Sequence, residues 1–230
     1  MCTVVVRWSP GQASTILALR DELTTRAFDE PGRWWPELPD VIGGRDTVAG
    51  GTWCASDIDS GVTALVLNRP QKRIADPGAP SRGVLPLLAV EHEHEWPMHI
   101  ELTGMASFAL VLVTPALLRT WVFDGADLSV TDADAGTHMV TSGGIEDGKA
   151  DRFLPDFAAA DHEKWRALIV RDAPSPDLTD LVVRRERDGL VYATVFGQLI
   201  ESTPGHLRLD YSRTPWLEDT WTRLAREPGA

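Results

Sequence analysis

The chain has 230 residues, and its 34 acidic and 22 basic residues give a formal net charge of −12. This acidic balance argues against nucleic acid or an anionic membrane surface as the main partner. With 43% hydrophobic residues the chain can bury a sizeable core, and we expect one domain over residues 1–230. Two cysteines do not make a disulfide framework, and we recognise no secretory signal or membrane span, so we expect a cytoplasmic protein.

The first part of the chain predicts two β-hairpins separated by a long loop. Residues 3–8 are rich in β-branched side chains and pair with residues 14–22 across the turn-like SPGQA. Residues 24–49, rich in proline, glycine and charge, predict an ordered surface loop. Residues 50–56 and 61–68 form the second hairpin, with DIDSG as its turn.

The rest of the chain mixes helices with further short strands. Apolar spacing predicts a helix within residues 81–96. Four further strands are predicted at residues 106–114, 119–123, 127–131 and 137–141. Two helices follow at residues 151–161 and 162–172, and the second is capped by Asp161. A hairpin turned at RDG is predicted at residues 181–201, and a last strand at residues 206–212. This order favours an α+β layered fold over a doubly wound parallel sheet. No glycine-rich phosphate loop follows a strand, which argues against nucleotide binding.

Four residues near the predicted hairpins carry chemistry that fits one site. If the first hairpin forms, Arg20 comes back beside Cys2, where a guanidinium favours the thiolate. Asn68, the only asparagine, closes a predicted strand, and an amide there is suited to donate to a developing oxyanion. Alternatives stay open. Cys2 could be a small buried residue, Arg20 and Asp21 a structural ion pair, and Asn68 a turn residue.

Other conspicuous residues have two interpretations each. Cys54 is either a small buried residue or a disulfide partner of Cys2, which a reducing cytoplasm disfavours. Trp34, Trp35 and Pro36 either pack a loop over the core or line a hydrophobic substrate mouth.

The run EHEHEW at 91–96 suggests a metal site through His92 and His94. Residues two apart do not face one way on a helix, however, so we favour a solvated helix end and expect no metal.

Several motifs occur together in the order and spacing of one family. They are MC at the start, ALRDE at 18–22, GGRDTVAGGTW at 43–53, TALVLNRP at 63–70 and SRG at 81–83. With them the chain resembles the NRDE proteins, also called the transport and Golgi organisation protein 2 family. That family is similar to the N-terminal-nucleophile (Ntn) hydrolases, which implies a four-layer αββα sandwich with two antiparallel sheets between helices.

The chain departs from the family pattern at two places. Leu19 stands where the family motif has an asparagine. The second asparagine of the hydrolases is absent, and the nearest stretch, HMVTSGG at 138–144, offers Ser142 and two glycines instead.

The resemblance implies a cysteine amidohydrolase that cleaves a non-peptide C–N amide bond of a small acylated molecule without a cofactor. It assigns Cys2 as nucleophile, Arg20 and Asp21 as supporting groups, and Asn68 as oxyanion-hole donor. Removal of Met1 would expose the α-amine of Cys2, and an α-amine with a pKa of roughly 7.7–8.0 is a suitable base near neutral pH.

The family is also linked to haem handling and to lipid or acyl-CoA metabolism. The alternative is therefore a non-catalytic protein on the same fold that binds or traffics haem or a lipid, with His99 or His138 as haem ligands. A purely structural partner protein is a third possibility.

Overall fold

The computed structural model describes residues 2–70, 75–145, 148–171 and 173–224. Within these residues the strands are β1 Thr3–Trp8, β2 Ser14–Leu23, β3 Phe28–Gly32, β4 Val41–Asp46, β5 Cys54–Asp57, β6 Thr63–Asn68, β7 Phe108–Val113, β8 Leu118–Phe123, β9 Leu128–Asp132, β10 Gly136–Thr141, β11 Gly144–Ile145, β12 Arg184–Arg187, β13 Leu190–Thr203, β14 His206–Ser212 and β15 Thr222–Arg223. The α-helices are α1 Leu85–His92, α2 Gly148–Ala159 and α3 Trp165–Val170, and short 3-10 turns cover Arg82–Val84, Glu93–His99, His162–Lys164 and Glu218–Thr220.

The first antiparallel sheet has the strand order β11-β10-β1-β2-β13-β14-β15, with β12 also paired to β13. Strand β1 lies between β10 and β2, and Thr3 is opposite both Thr141 and Leu19. This register brings Cys2, which precedes β1, beside Arg20 of β2. The hairpin predicted between the first two strands is confirmed.

The second sheet is an antiparallel meander in chain order, from β3 to β9. It corrects the prediction of a surface loop over residues 24–49, because β3 and β4 both lie there. Pro31 is tolerated because β3 is an edge strand, where one side needs no hydrogen-bond donor. Glycine suits β4 because a Cβ at Gly43 would lie 2.3 Å from the carbonyl oxygen of Cys54.

Side chains alternate between the two faces along each strand, and apolar side chains lie on both faces of each sheet. The two sheets therefore pack on each other and on outer helices, which makes four layers. Val4 and Val6 face Leu65 and Leu67 of the second sheet. Val5 faces the other way, with the apolar residues of α2 and α3. The second sheet packs in the same manner on α1 through Val66 and its neighbours. The α+β class and the four-layer αββα arrangement are therefore confirmed.

The remaining local predictions are mostly confirmed. The β5–β6 and β12–β13 hairpins form, the latter through Asp188 and Gly189 at φ 53° and 75°. One local prediction is wrong: Asp161 precedes a 3-10 turn, but its side chain makes no capping hydrogen bond. None of the helices in the described ranges has the length and apolar character to cross a bilayer.

Candidate functional site

An open cavity of about 300 Å³ lies where the ends of β1, β2 and β6 meet. All four residues that the sequence nominated line it: Cys2, Arg20, Asp21 and Asn68. They come from three separate segments of the chain. Antiparallel pairing of β1 with β2 accounts for the first three, and the facing sheet supplies the fourth.

Cys2 is half-buried and lines this cavity. Its Sγ lies 3.7 Å from the carbonyl oxygen of Asp21, to which the thiol donates. Burial and the negative charge of Asp21 raise the pKa of the Cys2 thiol above its ordinary 9.0. Arg20 acts in the expected direction, towards the thiolate, but its effect is smaller. The thiol is therefore protonated near neutral pH, and reaction at sulfur requires a base.

Cys54, the second cysteine, is buried between the sheets at 2% exposure. Burial raises the pKa of its thiol to about 12. Both cysteines are free, so the disulfide alternative is wrong and only Cys2 is open to the cavity.

Asp21 is held in place from β13. Its Oδ1 accepts a 2.6 Å hydrogen bond from the Thr194 hydroxyl, which itself accepts one of 2.9 Å from the Val183 amide. The Asp21 carbonyl accepts a further bond of 3.0 Å from the Tyr192 hydroxyl. Burial, followed by the charges of Cys2 and Asp21, raises the pKa of Tyr192. The carboxylate beside the thiol thus has a fixed position.

Arg20 is buried, with its guanidinium 4.4 Å from the centroid of the Trp53 ring. Its Nη2 lies 3.8 Å from Glu22 and 3.6 Å from Asp46. Arg20 therefore pairs with Glu22 and Asp46. The alternative of a structural ion pair between Arg20 and Asp21 is wrong. Burial lowers the pKa of Arg20, and the neighbouring negative charges oppose that shift.

Asp46 links Arg20 to a second arginine. The guanidinium of Arg26 donates to both Asp46 carboxylate oxygens, at 2.9 and 3.1 Å. The backbone amides of Val48 and Ala49 donate to the same carboxylate at 3.0 Å each. Burial alone would raise the pKa of Asp46, but these hydrogen bonds outweigh it and the pKa is lowered.

Asn68 is the last residue of β6 and is exposed, opposite Phe108. No hydrogen bond from its side chain to the described part of the chain is present, so its amide is not engaged in closing a turn. Its two N–H donors are available to a molecule in the cavity.

The SRG turn, residues 81–83, also lines the cavity. The Thr52 amide donates 2.8 Å to the Gly83 carbonyl, and a Cβ on Gly51 would lie 2.4 Å from that carbonyl group. Glycine at this position thus permits the two backbones to touch. Arg82 lines the cavity from this turn and donates through Nη1 to the Ser107 carbonyl at 2.9 Å.

A family model described as Transport and Golgi organisation 2 matches residues 1–163, well over half of the chain. The chain belongs to the Transport and Golgi organisation 2 family. A search of curated proteins finds no match. Among solved structures, the chain is similar to the Caenorhabditis elegans N-acylethanolamine-hydrolyzing acid amidase ortholog, at 10% identity and a TM-score of 0.48, over 98% of this chain and 100% of that chain.

The two departures from the pattern of the Transport and Golgi organisation 2 family both lie outside the cavity lining. Leu19 is buried with Val5 and Leu17 beneath α2 and α3, on the face of β2 opposite Arg20. Ser142 is buried as well, and its Oγ has no hydrogen-bond partner among the described residues. Replacement of the family asparagine by Leu19 therefore alters the core and removes no group from the cavity.

Sequence reasoning missed several residues that line the cavity: Glu22, Arg26, Asp46, Thr52, Trp53 and Arg82. Three of the family motifs contain five of these six residues, and only Arg26 lies outside them, so the motifs were a usable signal. Their roles were not assigned because the contacts join segments far apart in sequence.

Other candidates lie elsewhere. Trp35 packs in the core on the α1 side and Trp34 is 36% exposed, so neither lines this cavity, whereas Trp53 does. His99 lies in the 3-10 turn after α1, and His138 on β10 contacts the Asp134 carbonyl at 2.8 Å. Neither histidine lines the cavity.

Proposed function

We propose that this protein is an N-terminal-nucleophile cysteine hydrolase that cleaves the amide bond of a small acylated molecule. The observation that supports it most directly is the convergence of Cys2, Arg20, Asp21 and Asn68 on one open cavity. A thiol nucleophile, a cation that favours its thiolate, a fixed carboxylate and an amide donor for an oxyanion together suit covalent acyl transfer.

The proposed reaction begins with the amine of Cys2, which is freed when Met1 is removed. Because the pKa of the Cys2 thiol is raised, the thiol needs a base. An α-amine has a pKa of roughly 7.7–8.0 and can take the thiol proton near neutral pH. Asp21 orients this amine, and the guanidinium of Arg20 stabilises the negative charge that develops on sulfur.

The sulfur then attacks the acyl carbon, and the tetrahedral oxyanion accepts a hydrogen bond from the Asn68 amide. The protonated amine returns its proton to the leaving nitrogen, the C–N bond breaks, and a thioester remains on Cys2. Water adds to the thioester, and the Cys2 amine accepts its proton. The C–S bond then breaks, the thiolate recovers its proton and a carboxylic acid leaves.

Turnover of a panel of small N-acyl amides tests the proposal. We expect hydrolysis by the wild-type protein, none by Cys2→Ala, and retained hydrolysis by Cys54→Ala, because Cys54 is buried away from the cavity. Full turnover by Cys2→Ala would contradict the proposal. Binding of acyl compounds by both proteins without any turnover would indicate a carrier in place of an enzyme.

A further inference from the structure

The three arginines that line the cavity differ in their charge partners. Arg26 forms a two-point ion pair with Asp46, and Arg20 lies within 4.0 Å of Asp46 and Glu22. Arg82 has no carboxylate within the 4.0 Å salt-bridge distance in the described ranges of the chain. Among the three cavity arginines, Arg82 is therefore the one without a direct counter-ion in the described residues.

The guanidinium of Arg82 also has hydrogen-bonding capacity to spare. Arginine carries five N–H donors in a planar fork. Within the described residues only Nη1 of Arg82 is engaged, with the Ser107 carbonyl at 2.9 Å. Half-burial lowers the pKa of Arg82, and this shift is opposed by the negative charge of Glu22 and, when the thiol is ionised, by that of Cys2. A half-buried cation without a direct partner is unfavourable, and an anion bound beside it removes that penalty.

The backbone that carries Arg82 is fixed before any ligand arrives. The Thr52 amide bonds the Gly83 carbonyl at 2.8 Å, and Gly51 packs against that carbonyl with no room for a side chain. With Nη1 anchored as well, little side-chain entropy remains to be lost on binding. The fork therefore presents its remaining donors to the cavity in a preorganised way.

We propose that Arg82 is an anion subsite that holds a carboxylate of the substrate beside Cys2, so that the preferred substrates are N-acyl compounds carrying a carboxylate near the amide bond. A planar guanidinium matches a carboxylate at two points, which fixes orientation as well as charge. The inference rests on the proposed function in one respect, because it takes Cys2 as the nucleophile that attacks the amide bond. The subsite itself requires only that Cys2 and Arg82 share the cavity.

Charge-selective alkylation of Cys2 tests the subsite without any turnover. Iodoacetate and iodoacetamide both form an S–C bond and release iodide, and they differ in one carboxylate. Relative to free cysteine, we expect the iodoacetate-to-iodoacetamide rate ratio at Cys2 to be about tenfold higher, as one charge-assisted contact implies. Cys54 does not compete because it is buried. Peptide mapping by mass spectrometry identifies the modified thiol.

Two variants separate the subsite from the general charge of the cavity. Arg82→Gln should return the ratio to that of free cysteine, and Arg82→Lys should keep part of the preference. Arg26→Gln removes the same charge from an arginine already paired with Asp46, so the ratio should change by less than about twofold.

The inference is overturned if the wild-type ratio equals that of free cysteine, or if Arg26→Gln lowers it as much as Arg82→Gln. If Cys2 reacts with neither reagent, saturation-transfer NMR with N-acetylglycine and N-acetylglycinamide decides whether Arg82 binds a carboxylate. Binding that needs the carboxylate and is lost in Arg82→Gln supports the subsite, and equal binding of both compounds contradicts it. A charge preference without amide turnover would support the subsite and count against the hydrolase.

Discussion

The Thr194 hydroxyl donates a 2.6 Å hydrogen bond to the carboxylate of Asp21 and so ties β13 to the residue beside the candidate nucleophile. Thr194 is fully buried, and its hydroxyl also accepts from the Val183 amide at 2.9 Å. One buried hydroxyl therefore satisfies both a carboxylate and a backbone donor. Its removal should disturb the site and the fold together.

Replacement of Thr194 by Val keeps the shape of the side chain but leaves two buried polar groups short of a partner. We expect Thr194→Val to lower the free energy of unfolding by about 1–3 kcal/mol. Thr194→Ser keeps the hydroxyl and loses one methyl group, so we expect a cost of about 1 kcal/mol. Urea unfolding of the three proteins measures both values. Equal stability of the Val variant and the wild type would contradict the role given to the hydroxyl.

The negative charge of Asp21 opposes ionisation of the Cys2 thiol and is, after burial, the second cause of its raised pKa. Burial and this charge raise the pKa of the thiol, so Asp21→Asn removes one of the two causes and should lower that pKa. The rate of alkylation of Cys2 by iodoacetamide, measured against pH, should therefore rise at lower pH in the variant. Asp161→Asn changes an exposed carboxylate outside the cavity and should leave the curve in place. A curve that moves to higher pH in Asp21→Asn would show that the carboxylate assists the thiolate.

Asp46 should make a pH-dependent contribution to stability. Its folded pKa lies below the ordinary value, so its ionised form stabilises the fold above the unfolded pKa of about 3.9, and this contribution is lost as pH falls through the lower folded value. At pH 7 we expect Asp46→Asn to cost about 1–3 kcal/mol, because the two-point ion pair with Arg26 is lost.

Unfolding by urea at a series of pH values from 7 downwards checks this expectation. The difference between wild type and Asp46→Asn should be constant at neutral pH and should shrink below about pH 4. A difference that grows as the pH falls would contradict the assignment. Asp188→Asn serves as the control because that carboxylate is 85% exposed.

The part of the cavity lined by the SRG turn depends on the close approach of two backbones. A Cβ at Gly51 would lie 2.4 Å from the Gly83 carbonyl carbon, so Gly51→Ala must push the SRG turn outwards. We expect a loss of about 1–3 kcal/mol in the free energy of unfolding, as for other overpacked positions. At Gly148 a Cβ meets nothing within 4 Å, so Gly148→Ala should be neutral or slightly stabilising. Thermal unfolding compares the two, and equal effects would contradict the packing argument.

Local sequence patterns predicted the strands and helices that depend on residues close together in the chain. The β-branched run of β1 and the turn-like SPGQA before β2 predicted the hairpin, and the hairpin register then placed Arg20 beside Cys2. The β3 and β4 strands were missed because their glycine and proline content is typical of loops. Their strand character comes from pairing with β5 and from an edge position, which are tertiary properties.

The same limit applies to the cavity. Cys2 and Asn68 were nominated because their chemistry is unusual and each lies at the end of a predicted strand. Arg82 and Trp53 were not, because arginine and tryptophan are common on surfaces and in cores, and only the folded arrangement brings them to the thiol. The consequence of Leu19 also became clear only from the structure, which places its side chain on the face of β2 opposite Arg20.

Intact-mass spectrometry of the purified protein, before and after exposure to p-nitrophenyl acetate, tests whether Cys2 is an N-terminal nucleophile. We expect a chain that begins at Cys2 and gains a single acetyl group, which peptide mapping assigns to Cys2 and which Cys2→Ala does not acquire. A mature chain that retains Met1, or acetylation that persists unchanged in Cys2→Ala, would contradict this expectation.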